Sequence, residues 1–204
     1  MSSQLEVWGD HFGSEYNERN RFKSLSDFDD FYIKRYGLSK SAINKEFIGF
    51  FPKETSFLEI GSNIGNQLSH LYEMGFLNLN GIEYQQECVD EIVKDKPYIN
   101  IKQGRAQEIP FQSGAFDVVF TNNVLIHISP KDLDRVFEEM YRVSRQYIWG
   151  CEYFSNKIVE VKYRGFSNLM WKGNYASMFI EKFNDLMLVK EKKLQYLKSP
   201  DLVD

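Results

Sequence analysis

From Ser56 to Tyr153 the chain alternates short apolar runs with amphipathic stretches, and this order restricts the fold more than any other feature. Apolar runs at residues 56–60, 78–83, 98–103, 116–121 and 146–153 predict five strands. Between them, residues 65–74, 86–94 and 131–144 carry helical periodicity, which Leu133, Val136, Phe137, Met140 and Val143 show most clearly. Strands separated by helices imply a parallel sheet covered on both faces. Right-handed crossovers make that sheet doubly wound. The chain has 204 residues, 43% of them hydrophobic and 26% charged, which suits one soluble globular unit rather than a disordered chain.

The flanking segments read differently. Ser26 and Gly37 bracket an apolar-periodic stretch (Phe28, Phe31, Tyr32, Tyr36) as N-cap and C-cap. A second helix is predicted from Ser39 to Phe50, closed by Pro52. Residues 1–52 therefore form a helical extension, expected to act as a lid, and residues 53–204 form the core. Residues 154–172 read as an insertion with extended character at Ile158 to Val161. A helix is predicted from Asn174 to Phe183, followed by extended chain from Leu186 to Leu197, giving a sheet of six or seven strands.

Several function classes fit poorly. A net charge of −4 lacks the basic footprint of a nucleic-acid binder. No apolar run nears the roughly 18 residues of a membrane span. The opening Met-Ser-Ser-Gln-Leu-Glu lacks a signal-peptide pattern. Cys88 and Cys151 form neither a disulfide framework nor a metal motif, so both are expected in the core of a cytoplasmic protein with no metal.

The chemistry concentrates at Glu59-Ile-Gly61-Ser-Asn63-Ile-Gly65. An apolar strand ends in Glu-x-Gly, and Gly65 opens a helix. In an open parallel sheet this turn lies at the carboxyl edge, where ligands bind. The spacing is G-x-x-x-G rather than the dinucleotide G-x-G-x-x-G, and Glu59 beside a pyrophosphate would be repulsive. A cationic ligand suits it better. Glu83 ends the second strand twenty-two residues after Gly61, placed to accept two ribose hydroxyls. Asn63 suits a turn with positive φ.

These residues resemble the class I S-adenosylmethionine-dependent methyltransferases over roughly residues 55–153. The resemblance implies a Rossmann-like fold and S-adenosyl-L-methionine as cofactor, with S-adenosyl-L-homocysteine as product. It implies that Glu59, Gly61, Asn63, Gly65, Glu83, Tyr84, Ala106, Gln107 and Asn122 bind the cofactor: Glu59 at the ammonium, Glu83 at the ribose, Ala106 and Gln107 at the adenine. Ile109-Pro110-Phe111 matches the family's Leu-Pro-Phe element, and Asn123 to Ile128 the loop after the fourth strand. A wider set is similar to methyltransferases encoded with pseudaminic-acid and related surface-glycan genes of bacteria. It comprises Trp8-Gly-x-x-Phe12-Gly13-x-x-Tyr16-x-x-Arg19-Asn20, Glu152-Tyr153, Tyr163-Arg164-Gly165 and Trp171-Lys172. Ser155-Asn156-Lys157 and the Gly173-Asn174 that follows Lys172 depart from that pattern, on the expected acceptor side.

His127, beside the methyl donor in this reading, is the candidate general base, since imidazole titrates near neutral pH. Packing is its plainer role; His70 reads as structural, and His11 as a residue that could line the pocket. Tyr16, Arg19 and Asn20 share one helix face. There Arg19 suits a carboxylate, either of the cofactor or of an acidic sugar. Glu152, Tyr153, Tyr163, Arg164 and Lys172, with His127, are the candidate acceptor wall, a mixture suited to a polar small molecule. The sequence thus predicts methyl transfer to an oxygen or nitrogen of a small acceptor, such as a surface-glycan sugar or its nucleotide-linked precursor. A natural-product, amine, carboxylate or peptide acceptor is the alternative, and a non-catalytic cofactor-binding module the second.

Overall fold

The computed structural model describes residues 7–9 and 11–197, except the side chains of His11 and Phe12. The expectation for His11 therefore falls outside the described residues.

Among the described residues, the helices α1 (His11–Arg19), α2 (Leu25–Tyr36) and α3 (Lys40–Phe47) precede the sheet. The N-cap of α2 is Ser24 rather than Ser26, because the Ser24 hydroxyl accepts the Asp27 N–H at 3.1 Å while Ser26 lies within the first turn. Gly37 ends the helix at φ 73°, in the left-handed region. Ser39 caps α3 as expected. That helix stops at Phe47 rather than Phe50, where the Ile48 and Gly49 N–H groups both turn back onto Asn44.

The core alternates as the sequence predicts: β1 (Phe57–Ile60), α4 (Asn66–Glu73), β2 (Leu79–Glu83), α5 (Gln86–Asp95), β3 (Asn100–Gln103), β4 (Phe116–Asn122), a 3-10 turn (Leu125–His127), α6 (Leu133–Val143) and β5 (Ser144–Cys151). The strands form one sheet in the order β3-β2-β1-β4-β5, and every pairing is parallel. The side chains of β1 alternate between two apolar layers. Phe57 packs with Leu68, Leu71, Val89, Ile92 and Phe120 on one face. Leu58 and Ile60 pack with Val136, Phe137 and Met140 of α6 on the other. A strand covered on both faces is buried throughout, as Phe-Leu-Glu-Ile is here.

Beyond β5 a short antiparallel hairpin pairs β6 (Val159–Glu160) with β7 (Trp171–Lys172), and α7 (Tyr175–Lys182) follows. The insertion at residues 154–172 is thus a hairpin. The expected sixth and seventh strands at residues 186–197 do not form: among the described residues the main sheet has five. The cause lies in that segment's own side chains. Lys190 and Lys192 reach Glu46 of α3 at 3.3 and 2.6 Å. Leu194 packs on the Phe28, Tyr32 and Ile43 cluster, and the Leu197 N–H binds the Arg35 carbonyl. The tail is drawn onto α2 and α3 instead of pairing with β5. Among the described residues no helix is long and apolar enough to cross a membrane. Cys88 is buried, whereas Cys151, at the end of β5, is only half-buried.

Candidate active site

The carboxyl ends of β1, β2 and β4 open into a cavity of about 380 Å³, roofed by α1 and α2. Its floor is the turn between β1 and α4. Gly61 (φ 69°) and Asn63 (φ 48°) take left-handed dihedrals there. A Cβ on Gly61 would lie 2.7 Å from Val124 Cγ2, so the loop after β4 approaches this backbone as closely as a glycine allows. Gly65 caps α4 at φ 76° and supports the turn without lining the cavity. Lys96 fixes the turn from outside by donating to the Ile64 carbonyl.

Two carboxylates stand at this floor. Glu83, 7% exposed, accepts the Asn63 N–H at 2.7 Å on one oxygen and the Gln85 N–H at 3.0 Å on the other. Burial raises its pKa, and these backbone N–H groups oppose the rise. Glu59, 2% exposed, has one carboxylate oxygen with no hydrogen-bond partner. Burial holds its pKa well above the usual carboxylate range; Lys40 counters this most, Glu83 adds to it, and Lys96 opposes it.

Lys40 is a residue that sequence reasoning passed over. It is fully buried in the first turn of α3, and its ammonium donates to Asn122 Oδ1 at 2.7 Å. The Tyr32 hydroxyl reaches the same oxygen at 3.4 Å. With Oδ1 so engaged, the amide of Asn122, at the end of β4, has its donor side left for other partners. The Tyr32 and Trp149 rings lie 5.1 and 5.3 Å from the ammonium. A lysine at the start of an exposed-looking helix ordinarily reads as solvated, and no signal in the sequence marks this one.

The roof is tied to the floor by amides. Asn17 of α1, also missed, accepts from Asn63 Nδ2 at 2.5 Å and donates to Gln85 Oε1 at 2.8 Å. Asn66 Nδ2 donates to the Asn20 carbonyl at 3.0 Å. Tyr16, Arg19 and Asn20 line the cavity as their shared face predicts. Arg19 faces Glu15 at 3.7 Å, but its buried Nη2 has no hydrogen-bond partner. On the opposite side, Tyr84, Ala106 and Gln107 line the wall after β2 and β3. Arg105 and Glu108 close a tight turn around Ala106 and Gln107, while Arg135 and Arg142 of α6 hold carbonyls of Gln107, Ile109 and Phe111. Gln107 Oε1 is buried and without a hydrogen-bond partner.

His127 lies where the 3-10 turn meets the hairpin. Its Nδ1 is 2.9 Å from the Leu169 carbonyl, which can only accept, so Nδ1 carries the proton and Nε2 the lone pair. Burial lowers its pKa to about 4, against the carbonyl's opposing pull. The rings of Trp8, Tyr163 and Tyr16 stand 4.6, 5.3 and 5.9 Å from the imidazole. His127, Tyr153, Tyr163 and Arg164 all line the cavity. Glu152 and Lys172 do not. The Glu152 carboxylate turns inward to accept the Val124 and Ile126 N–H groups at 3.0 and 3.3 Å, bracing the loop after β4. Burial raises its pKa to about 7. Lys172 points to a separate groove beside β5, with its ammonium 5.8 Å from the Tyr153 ring. His70 is structural as read, with Nδ1 3.0 Å from the Ser41 hydroxyl.

Residues 58–147 match the profile of the methyltransferase domain family. No curated protein matches the chain in sequence. Among solved structures the chain is similar to a Haloferax volcanii complex between the Trm112 methyltransferase activator and a methyltransferase, with TM-score 0.56 and 14% identity over 91% of this chain and 76% of that one. It is also similar to a Methanococcus maripaludis protein described as an S-adenosyl-L-methionine-dependent methyltransferase (TM-score 0.53, 19% identity, 68% of this chain and 62% of that one). A Pyrococcus horikoshii protein matches at TM-score 0.52 and 15% identity over 68% and 76% of the two chains. At these identities the likeness is one of fold. From β1 to β5 the chain thus carries a methyltransferase domain, with a buried acid near the carboxyl end of each of the adjacent strands β1 and β2.

Proposed function

We propose that the protein methylates an oxygen or nitrogen of a small polar acceptor, a surface-glycan sugar or its nucleotide-linked precursor. The observation that carries the donor half is the set of buried polar atoms without hydrogen-bond partners around one cavity: Glu59 Oε2, Asn63 Oδ1, Gln107 Oε1 and Arg19 Nη2. Such atoms are costly to bury and match a ligand rich in polar groups. Glu59 takes the donor's ammonium, and Arg19 its carboxylate. Glu83, with both oxygens already oriented by backbone N–H groups, takes the ribose hydroxyls. Gln107 and Ala106 face the adenine, with Tyr84 beside them. Asn63, Asn122, Tyr16 and Asn20 complete the enclosure, and α1 acts as its lid. Bound there, the donor supplies a methyl carbon activated by a sulfonium charge.

On the acceptor side, Tyr153, Tyr163 and Arg164 form the wall, and His127 orients the attacking group through Nε2. With a pKa near 4 the imidazole is a weak base, so its contribution is a hydrogen bond to the nucleophile and not bulk deprotonation at neutral pH. Positioning in a closed cavity supplies most of the acceleration. The sugar acceptor rests on the resemblance to methyltransferases of pseudaminic-acid and related glycan genes, and a cytoplasmic setting accords with nucleotide-linked precursors.

The test is incubation with methyl-labelled S-adenosylmethionine and separate pools of sugars, nucleotide sugars, amines and peptides. Label transfer to the sugar pools supports the reading. Transfer to amines or peptides alone replaces the acceptor. Tight donor binding without transfer to any pool favours a non-catalytic module.

A further inference from the structure

The charges around the cavity are unequal. Among the described residues its lining holds two carboxylates, Glu59 and Glu83, and four guanidinium groups, Arg19, Arg35, Arg105 and Arg164. In the methyl-transfer reading both carboxylates and Arg19 serve the donor. Arg105 is neutralised by Glu108 at 2.6 Å, and Arg35 is stacked on the Phe31 ring at 3.6 Å. Arg164 forms no ion pair among the described residues, and it stands at the acceptor end beside Tyr163.

Its backbone makes the choice of arginine more telling. Tyr163 and Phe166 exchange both backbone hydrogen bonds at 2.9 Å, so Arg164 and Gly165 are the two central residues of a tight hairpin turn. Their φ values, 50° and 88°, are those of a type I′ turn. That turn favours Asn, Asp or Gly at the first central position, because an L side chain with a Cβ is strained there. A long cationic residue held against this preference marks a position kept for something other than folding. The turn sets the Arg164 guanidinium 6.0 Å from the centre of the Tyr163 ring. That buried ring in turn lies 5.3 Å from His127. The cavity therefore runs from His127 across an aromatic surface to a cation at its mouth.

We propose that the acceptor carries an anionic group, a carboxylate or phosphate, and that Arg164 is the residue that selects it. This rests on the methyl-transfer reading and adds the acceptor's charge class to it. A planar guanidinium is suited to forked hydrogen bonding with either anion. His127 then meets the reacting atom at the far end of the same molecule.

The test uses the full chain saturated with S-adenosylhomocysteine and titrated calorimetrically with glucuronate, glucose 6-phosphate, glucose and glucosamine. Arg164→Gly and Arg164→Asn are chosen because both suit the turn, so each variant should melt at or above the wild-type temperature. The expected result has three parts. Wild type binds one or both anionic sugars in preference to the uncharged and cationic ones. Both variants bind that anion more weakly by about tenfold or more. Neither variant changes affinity for S-adenosylhomocysteine, and Arg164→Lys keeps part of the anion preference. The proposal is overturned if wild type prefers glucose or glucosamine, if it binds none of the four, or if the variants bind the anion as tightly as wild type. Failure of S-adenosylhomocysteine itself to bind would instead overturn the donor reading.

Discussion

The β1–β2 wall of the cavity and the hairpin wall opposite are made differently. Glu59 and Glu83 stand on adjacent interior strands, 2% and 7% exposed, and the backbone of the turn orients Glu83. Across the cavity, Arg164 is exposed on a turn between strands of two residues each, and His127 is oriented by a carbonyl of that same hairpin. The first wall is specified by the sheet, so it changes only if the fold changes. The second is an appendage after β5, where substitutions are cheap and specificity can vary. The proposed function puts the donor, common to many enzymes, on the first wall and the acceptor, particular to one, on the second.

Glu83→Ala gives the largest effect expected from this division. Two hydrogen bonds to a charged carboxylate are lost, each contributing roughly 1.5–3 kcal/mol, so donor affinity should fall by about a hundredfold or more. Calorimetric titration with S-adenosylmethionine measures it, and Arg164→Gly in the same experiment should leave the affinity unchanged. Equal losses in the two variants would abolish the distinction between the walls.

Gly61→Ala tests whether the donor wall is fixed by backbone. The φ of 69° and the 2.7 Å approach to Val124 Cγ2 both penalise a Cβ. Together they should destabilise the protein by about 2 kcal/mol or more in urea unfolding. Adding Val124→Ala should recover the steric part and leave the dihedral part. A Gly61→Ala variant as stable as wild type would mean that the turn relaxes freely.

The same contrast governs what could be read before the fold was known. All five strands, the glycine turn and the place of Glu83 at the end of β2 were legible, because a strand buried on both faces leaves an uninterrupted apolar run and its turn demands glycine. The tail at residues 186–197 was not, since its apolar residues suit a strand while its course is decided by pairing of Lys190 and Lys192 with Glu46. Glu152 was assigned to the acceptor wall, yet its backbone partners Val124 and Ile126 lie more than twenty residues away in sequence, and nothing local announces them. Lys40 and Asn17 were missed for the same reason: their partners, Asn122 and Asn63, are brought near only by the fold. Residues proposed to contact the donor follow strand periodicity, whereas those that hold them in place follow tertiary structure.

Lys40→Met sharpens that last point through pH. Glu59 must be ionised to hold an ammonium, burial raises its pKa, and Lys40 is the foremost group opposing that rise. Glu83 also faces it and raises it further, while Lys96 lowers it. Without the Lys40 cation, Glu59 keeps its proton to higher pH. Donor affinity should therefore decline on acidification in both proteins, but from a higher pH in the variant, with about a tenfold difference for each unit of displacement. Titrations across a pH series in matched buffers measure the two curves. Curves that run parallel would reduce Lys40 to a packing and hydrogen-bonding role beneath Asn122.

The smallest effect is expected at His127, where the hairpin wall is most enclosed. Its folded pKa of about 4 lies below the ordinary 6.5, so the folded protein refuses a proton that the unfolded chain accepts. The contribution to stability is present above about pH 6.5 and is lost as pH falls toward about 4. His127→Gln, whose amide can still donate to the Leu169 carbonyl, should flatten that part of the stability profile and change little at neutral pH. Turnover should likewise show no histidine limb at neutral pH, because the imidazole is already neutral there. A limb near pH 6.5 in wild type that disappears in His127→Gln would show that water reaches the ring in solution. The hairpin wall would then be open, and His127 would return to the part of a titrating general base.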